Sequence, residues 1–132
     1  MVISEVSEKY GLTQDALRYY ERVGLIPPVK RKPSGLRDYD AYSCGWIEFA
    51  HCMRKAGIPV EVLVEYVQLY QQGRETREAR KELLREEYRR LEKRIVDLQA
   101  VKERLACKIE NYDQLEDSVE SIAKEKNSKA EA

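Results

Sequence analysis

The chain has 132 residues, with 24 Lys and Arg balanced by 24 Asp and Glu, so its formal net charge is zero. That length limits it to one domain, or one small domain with an extended helix, and no apolar run approaches membrane-spanning length. The three cysteines, Cys44, Cys52 and Cys107, are widely spaced and form no CxxC pair. This argues against a disulfide framework or a common zinc site and fits free thiols in a reducing cytoplasm. A zero net charge does not exclude a nucleic-acid partner, because local fields steer binding and the average hides them.

In chain order, Ile3, Val6 and Tyr10 recur at helical spacing and predict a short helix, which Gly11 ends. Thr13 supplies a cap oxygen for a second helix that runs to Gly24. Its apolar positions Ala16, Leu17, Tyr20 and Val23 share one face, and Arg18, Tyr19 and Arg22 fall elsewhere on the cylinder, free to meet a partner. Helix, short glycine turn and second helix make the helix-turn-helix pattern, with the second as recognition helix.

Pro27, Pro28 and Pro33 then exclude a helix. Residues 29–32 and 36–39 are expected as two short strands around a Pro33-Ser34-Gly35 turn, a small β-hairpin wing carrying Lys30, Arg31, Lys32 and Arg37. The alternative is a solvated loop between two helices. Four cations and an aromatic residue directly behind a recognition helix favour the wing, because phosphates need such donors. Asp40 caps a third helix over residues 41–56, apolar at Trp46, Ile47, Phe49, Ala50 and Met53. After the Gly57 break, Pro59 opens a fourth, with Val60, Leu63, Val64, Val67, Leu69 and Tyr70 on its apolar side.

From Thr76 to about Val119 there is neither proline nor glycine. Leu84, Tyr88, Leu91, Ile95, Leu98, Leu105, Ile109 and Tyr112 follow alternating steps of four and three, interrupted only by Lys102. A heptad seam of this length cannot be buried within one helix, so it predicts a partner helix, most simply from a second copy. The expected organisation is a DNA-binding head over residues 1–73, a dimerisation helix over 74–119 and a flexible tail over 120–132, mainly α in class.

The segments ISEVSEKYGLTQDALRYYERVGLIPP, RKPSGLRDYD and FAHCMRKAGIPVEVL together resemble the N-terminal region of MerR-type transcription regulators. The LRYYERVGLI core and the Gly35-x-Arg37-x-Tyr39 wing carry the resemblance, which covers roughly residues 2 to 72. It implies two winged-helix heads joined by an antiparallel coiled coil, bound as a homodimer to a palindromic promoter with an overlong spacer. Bending and untwisting that DNA lets RNA polymerase engage both promoter elements. FAHCMRKAGIP, with one cysteine inside the third helix, is similar to the AdhR- and NmlR-like subgroup, which answers reactive aldehydes, carbonyls and nitrosative stress. That similarity implies that Cys52 is the sensor and a small electrophile the inducer, with no metal and no other cofactor. Metal-sensing relatives carry a paired-cysteine loop after the long helix, where this chain has only Asn, Asp, Glu and Ser. Multidrug-sensing relatives carry a large ligand domain, and this chain is expected to lack one.

The DNA-binding set is then Thr13, Gln14, Arg18, Tyr19, Arg31, Arg37 and Tyr39. Arg18 offers bidentate geometry to phosphate or guanine, and Gln14 in the first turn suits adenine. Asp15 is an awkward neighbour for phosphate. Tyr19 and Tyr39 are expected to donate hydroxyls to phosphates, Arg31 and Arg37 to anchor the wing, and Tyr20 to join the core. Arg54 and Lys55 either extend the phosphate contact or form a solvated face. Two other functions compete. A thiol enzyme would need a base aimed at Cys52, but His51 is adjacent in sequence and points elsewhere on the helix. A coiled-coil scaffold would leave Arg31, Arg37 and the RYYER helix without a purpose.

Overall fold

A computed structural model describes residues 1–112 and 114. Five helices follow in order: α1 (Ile3–Tyr10), α2 (Gln14–Val23), α3 (Ala41–Lys55), α4 (Val60–Gln72) and, after a 3-10 turn at Arg74–Thr76, α5 (Arg77–Glu110). The expected helical stretch beyond this, to Val119, and the expected tail at 120–132 lie outside the described residues.

The helix ends follow from local chemistry. Thr13 Oγ1 accepts from Ala16 N at 3.0 Å, and Asp40 Oδ1 accepts from Ser43 N at 2.8 Å, so α2 and α3 each begin on a side-chain cap. Gly24 ends α2 at φ +87°, a left-handed conformation that side chains resist. The turn between α1 and α2 is closed by Leu12 N donating to the Ser7 carbonyl, while the Ser7 hydroxyl donates back to the Leu12 carbonyl. Arg54 Nη1 donates to the Ile58 carbonyl at 2.7 Å and so ties down the α3–α4 turn.

The wing differs from two strands. Only one antiparallel bridge forms, Arg31 opposite Arg37, flanked by Lys32 N to Leu36 O at 2.8 Å and Asp38 N to Lys30 O at 2.7 Å. The turn uses up the ribbon. Gly35 N donates to Lys32 O across Pro33-Ser34, and Gly35 takes φ +90°, leaving too few residues for a longer ladder.

The chain divides into two compact units, residues 1–89 and 90–132. In the first, Val6, Leu17, Tyr20, Leu25, Ile26, Ile47, Ala50 and Leu63 bury together, so α1 to α4 and the segment after α2 share one core. Each of the Val, Leu and Ile side chains contributes about 1.5–3 kcal/mol relative to exposure. The first turns of α5 belong to this unit. Thr76 is buried, donates its hydroxyl to the Leu69 carbonyl (2.6 Å) and accepts from Arg80 Nε (3.1 Å). Between α3 and α4 the rings of Trp46, Phe49, Tyr66 and Tyr70 stack edge-on or tilted. With Tyr42 and Gly45 they line a groove of about 390 Å³. In the second unit, helix α5 carries its apolar residues outward: Ile95, Leu98, Leu105 and Ile109 are 48–73% exposed.

Candidate functional site

Helix α2 and the wing meet through Glu21. Its carboxylate accepts from Val29 N at 2.6 Å and from Arg37 Nε at 2.6 Å, and both side chains of the ion pair are mostly buried. Burial alone raises the Glu21 pKa. The Arg37 hydrogen bond, the Val29 amide and the charges of Arg37 and Arg31 outweigh it and hold the carboxyl below its ordinary value. Glu21 therefore latches the wing to the recognition helix. Its partner lies sixteen positions away in the wing, a separation that helical periodicity does not reveal.

The latch brings three arginines to one notch. Arg18 from α2 and Arg31 and Arg37 from the wing line one notch of about 170 Å³ with Ile3, Gly35 and Leu36. Arg18 bonds Asp15 at 3.0 Å and reaches Gln14 Oε1 at 3.4 Å. Asp15 is almost fully exposed, and an open pair of this kind is worth about 0–1 kcal/mol, so an anion can displace it. Arg31 Nη1 caps its own turn at the Gly35 carbonyl, 2.8 Å away. Arg37 has its Nε committed to Glu21, so only its outer nitrogens remain as further donors.

The remaining members of the set are distributed unequally. Tyr19 is half-exposed, with the Arg22 guanidinium 5.6 Å from its ring centroid. Thr13 accepts from Ala16 N at the cap, and its hydroxyl proton is left to donate. Tyr39 is the correction. It is 1% exposed, packed in the core, and its hydroxyl is buried without a hydrogen-bond partner, out of reach of a backbone phosphate. The reason is its position at the base of the wing. Tyr39 N donates to the Met1 carbonyl there, and the ring turns inward beneath the ribbon.

The three thiols occupy different environments. Cys52 is exposed on α3, and Cys107 is exposed on α5. Cys44 is buried. Tyr10 packs beside it, and the Tyr10 hydroxyl pKa is raised, first by burial and then by hydrogen bonding with Glu48 and Cys44. Among the described residues no three His, Cys, Asp or Glu side chains gather as a metal site, and no helix is long and apolar enough to cross a membrane.

Comparison with known proteins places this geometry. The family model for "MerR HTH family regulatory protein" matches residues 1–70, and that for "MerR, DNA binding" matches residues 46–107. The HTH-type transcriptional regulator AdhR of Bacillus subtilis is 57% identical over 91 residues, a match spanning 69% of this chain and 65% of that relative. A crystal structure of a Listeria monocytogenes protein assigned to the MerR family of transcriptional regulators superposes with TM-score 0.83 at 42% identity, covering 98% of each chain. HiNmlR, a MerR family regulator lacking the sensor domain and crystallised on promoter DNA, has TM-score 0.79 at 23% identity, covering 86% of this chain and 90% of its own, a likeness of fold.

Proposed function

The chain belongs to the MerR family of helix-turn-helix regulatory proteins, a family of regulators and not of enzymes, and from that premise we propose that it is a homodimeric transcription regulator acting on promoter DNA in the cytoplasm. Each head, residues 1–73, grips one half of a palindrome, and helix α5 zips against its antiparallel twin. The paired heads bend and untwist an overlong spacer so that RNA polymerase engages both promoter elements.

The observation that carries this reading is the convergence of Arg18, Arg31 and Arg37 on one notch, held there by Glu21. Three guanidinium groups in a space of that size suit a phosphate oxygen cluster. Tyr19, Gln14 and the free proton of Thr13 stand on the same helix and add donors to phosphate or base edges. The test is a salt-titrated gel shift on the chain's own upstream DNA. Arg18→Ala and Arg31→Ala should each weaken binding and lower the salt slope by about one. An unchanged slope rejects the contact.

The signal in this reading is a thiol-reactive small molecule, an aldehyde or related carbonyl, acting at Cys52. Its support is the AdhR- and NmlR-like motif around Cys52 and the exposure of that thiol on α3. The Cys52 sulfur bonds the carbonyl carbon, the C=O π bond opens, and the thiol proton ends on oxygen. A hemithioacetal results, with no change of oxidation state.

A further inference from the structure

The seam on α5 has a flaw, and the flaw carries information. Tyr88, Ile95, Lys102 and Ile109 open successive heptads, while Leu84, Leu91, Leu98, Leu105 and Tyr112 hold the fourth place. Lys102 is thus a cation at a core position, and its neighbours on the seam, Leu98 and Leu105, are exposed. Any second copy that covers this seam must accommodate that charge.

Side by side and in parallel, each opening position faces itself, and Lys102 meets the partner's Lys102. In an antiparallel pair each opening position faces a fourth position instead, so Lys102 faces a leucine. Two antiparallel registers keep the seam covered over most of its length. In one, Lys102 lies opposite the partner's Leu98. The hole that receives it then contains the partner's Gln99 and the partner's Lys102, and Arg94 runs along the partner's Lys108. In the other, Lys102 lies opposite the partner's Leu91. Its hole is then made by the partner's Tyr88, Leu91, Glu92 and Ile95, and Arg94 runs beside the partner's Val101. Only this second register supplies an acid. The lysine stem can lie along the partner's Leu91 while its ammonium reaches the partner's Glu92 at the edge.

Resting on the homodimer proposed above, we infer that two chains pair antiparallel in this one register, with Lys102 of each against the partner's Glu92 and Ile95 of each against the partner's Leu98 at the centre. Glu92 and Lys102 are both exposed on α5 and are available for the contact. By symmetry the pair occurs twice per dimer, and it excludes the competing alignments, both of which set lysine against lysine. One polar residue at a core position specifying register is a known use of such a site.

The experiment measures dimer dissociation by sedimentation at low and moderate salt, on the full chain, with helix content checked by circular dichroism. Glu92→Lys and Lys102→Glu alone should each raise the dissociation constant roughly tenfold at low salt, because an attraction used twice becomes a repulsion used twice. The double exchange, E92K with K102E, should return it to within about threefold of the starting protein. A mixture of the two single variants should form heterodimers in preference to either homodimer, since both cross-pairs then have opposite signs. A dimer indifferent to Glu92→Lys, or a double exchange no tighter than the singles, overturns the register while leaving the dimer standing. A monomeric starting protein would instead overturn the pairing itself.

Discussion

Replacing Glu21 with Gln keeps the shape of the latch and removes its charge. The carboxylate makes two short bonds, to Val29 N and Arg37 Nε, in a mostly buried site. The amide can still accept one of them, but Arg37 then stays half-enclosed without a counter-charge. Hydrogen bonds to charged groups contribute about 1.5–3 kcal/mol each, so with part of the pair retained the expected loss is about 2–3 kcal/mol. At roughly 3–4 °C per kcal/mol for a chain of this size, the melting temperature should fall by about 6–12 °C. The pH dependence gives a sharper check. The Glu21 carboxyl is held below its ordinary value in the folded head. Its contribution is therefore fully present above the unfolded pKa and is lost as pH falls through the folded one. Thermal unfolding followed by circular dichroism should show a wide gap between wild type and variant at pH 7 that narrows on the acid side of the normal carboxylate range. A gap that stays constant down to acid pH, or no gap at all, would refute the latch.

Tyr39→Phe removes a buried hydroxyl that has no partner, so stability should hold or rise slightly and DNA affinity should not change; a tenfold loss in a gel shift would return that hydroxyl to the phosphate contacts. Cys52→Ser should bind the promoter normally and lose induction by aldehyde in a reporter strain, and normal induction would remove the sensor role. Leu91→Asp with Leu98→Asp should sediment as a monomer, since both lie at the centre of the seam, and an intact dimer would refute it.

What was legible in the sequence was whatever is encoded locally. Thr13, Gly24 and Asp40 mark helix ends by the chemistry of their own positions, and the structure uses all three as caps. Tyr20 fell on the apolar side of its helix by spacing alone and is buried. What escaped was set by contacts distant in sequence. Tyr39 and Tyr19 are the same residue type in equally polar surroundings. Only the fold decides that one ring turns under the wing and the other stays half-exposed. The two expected wing strands shrink to one bridge, because alternation over four residues does not show how many of them a tight turn will consume. Glu21 is invisible to helical spacing because its partner is reached across the wing and not along the helix.

The ring cluster between α3 and α4 has a practical side. Trp46 is the only tryptophan in the chain, and its centroid stands 5.0 Å from that of Tyr70 and 5.9 Å from that of Tyr66, both on the facing helix. Excitation absorbed by those phenols passes to a single indole, whose emission colour depends on how much water reaches it. The head thus contains an intrinsic optical gauge. Anything that pries α4 from α3 will change its hue and its borrowed brightness, without a dye and without altering a residue.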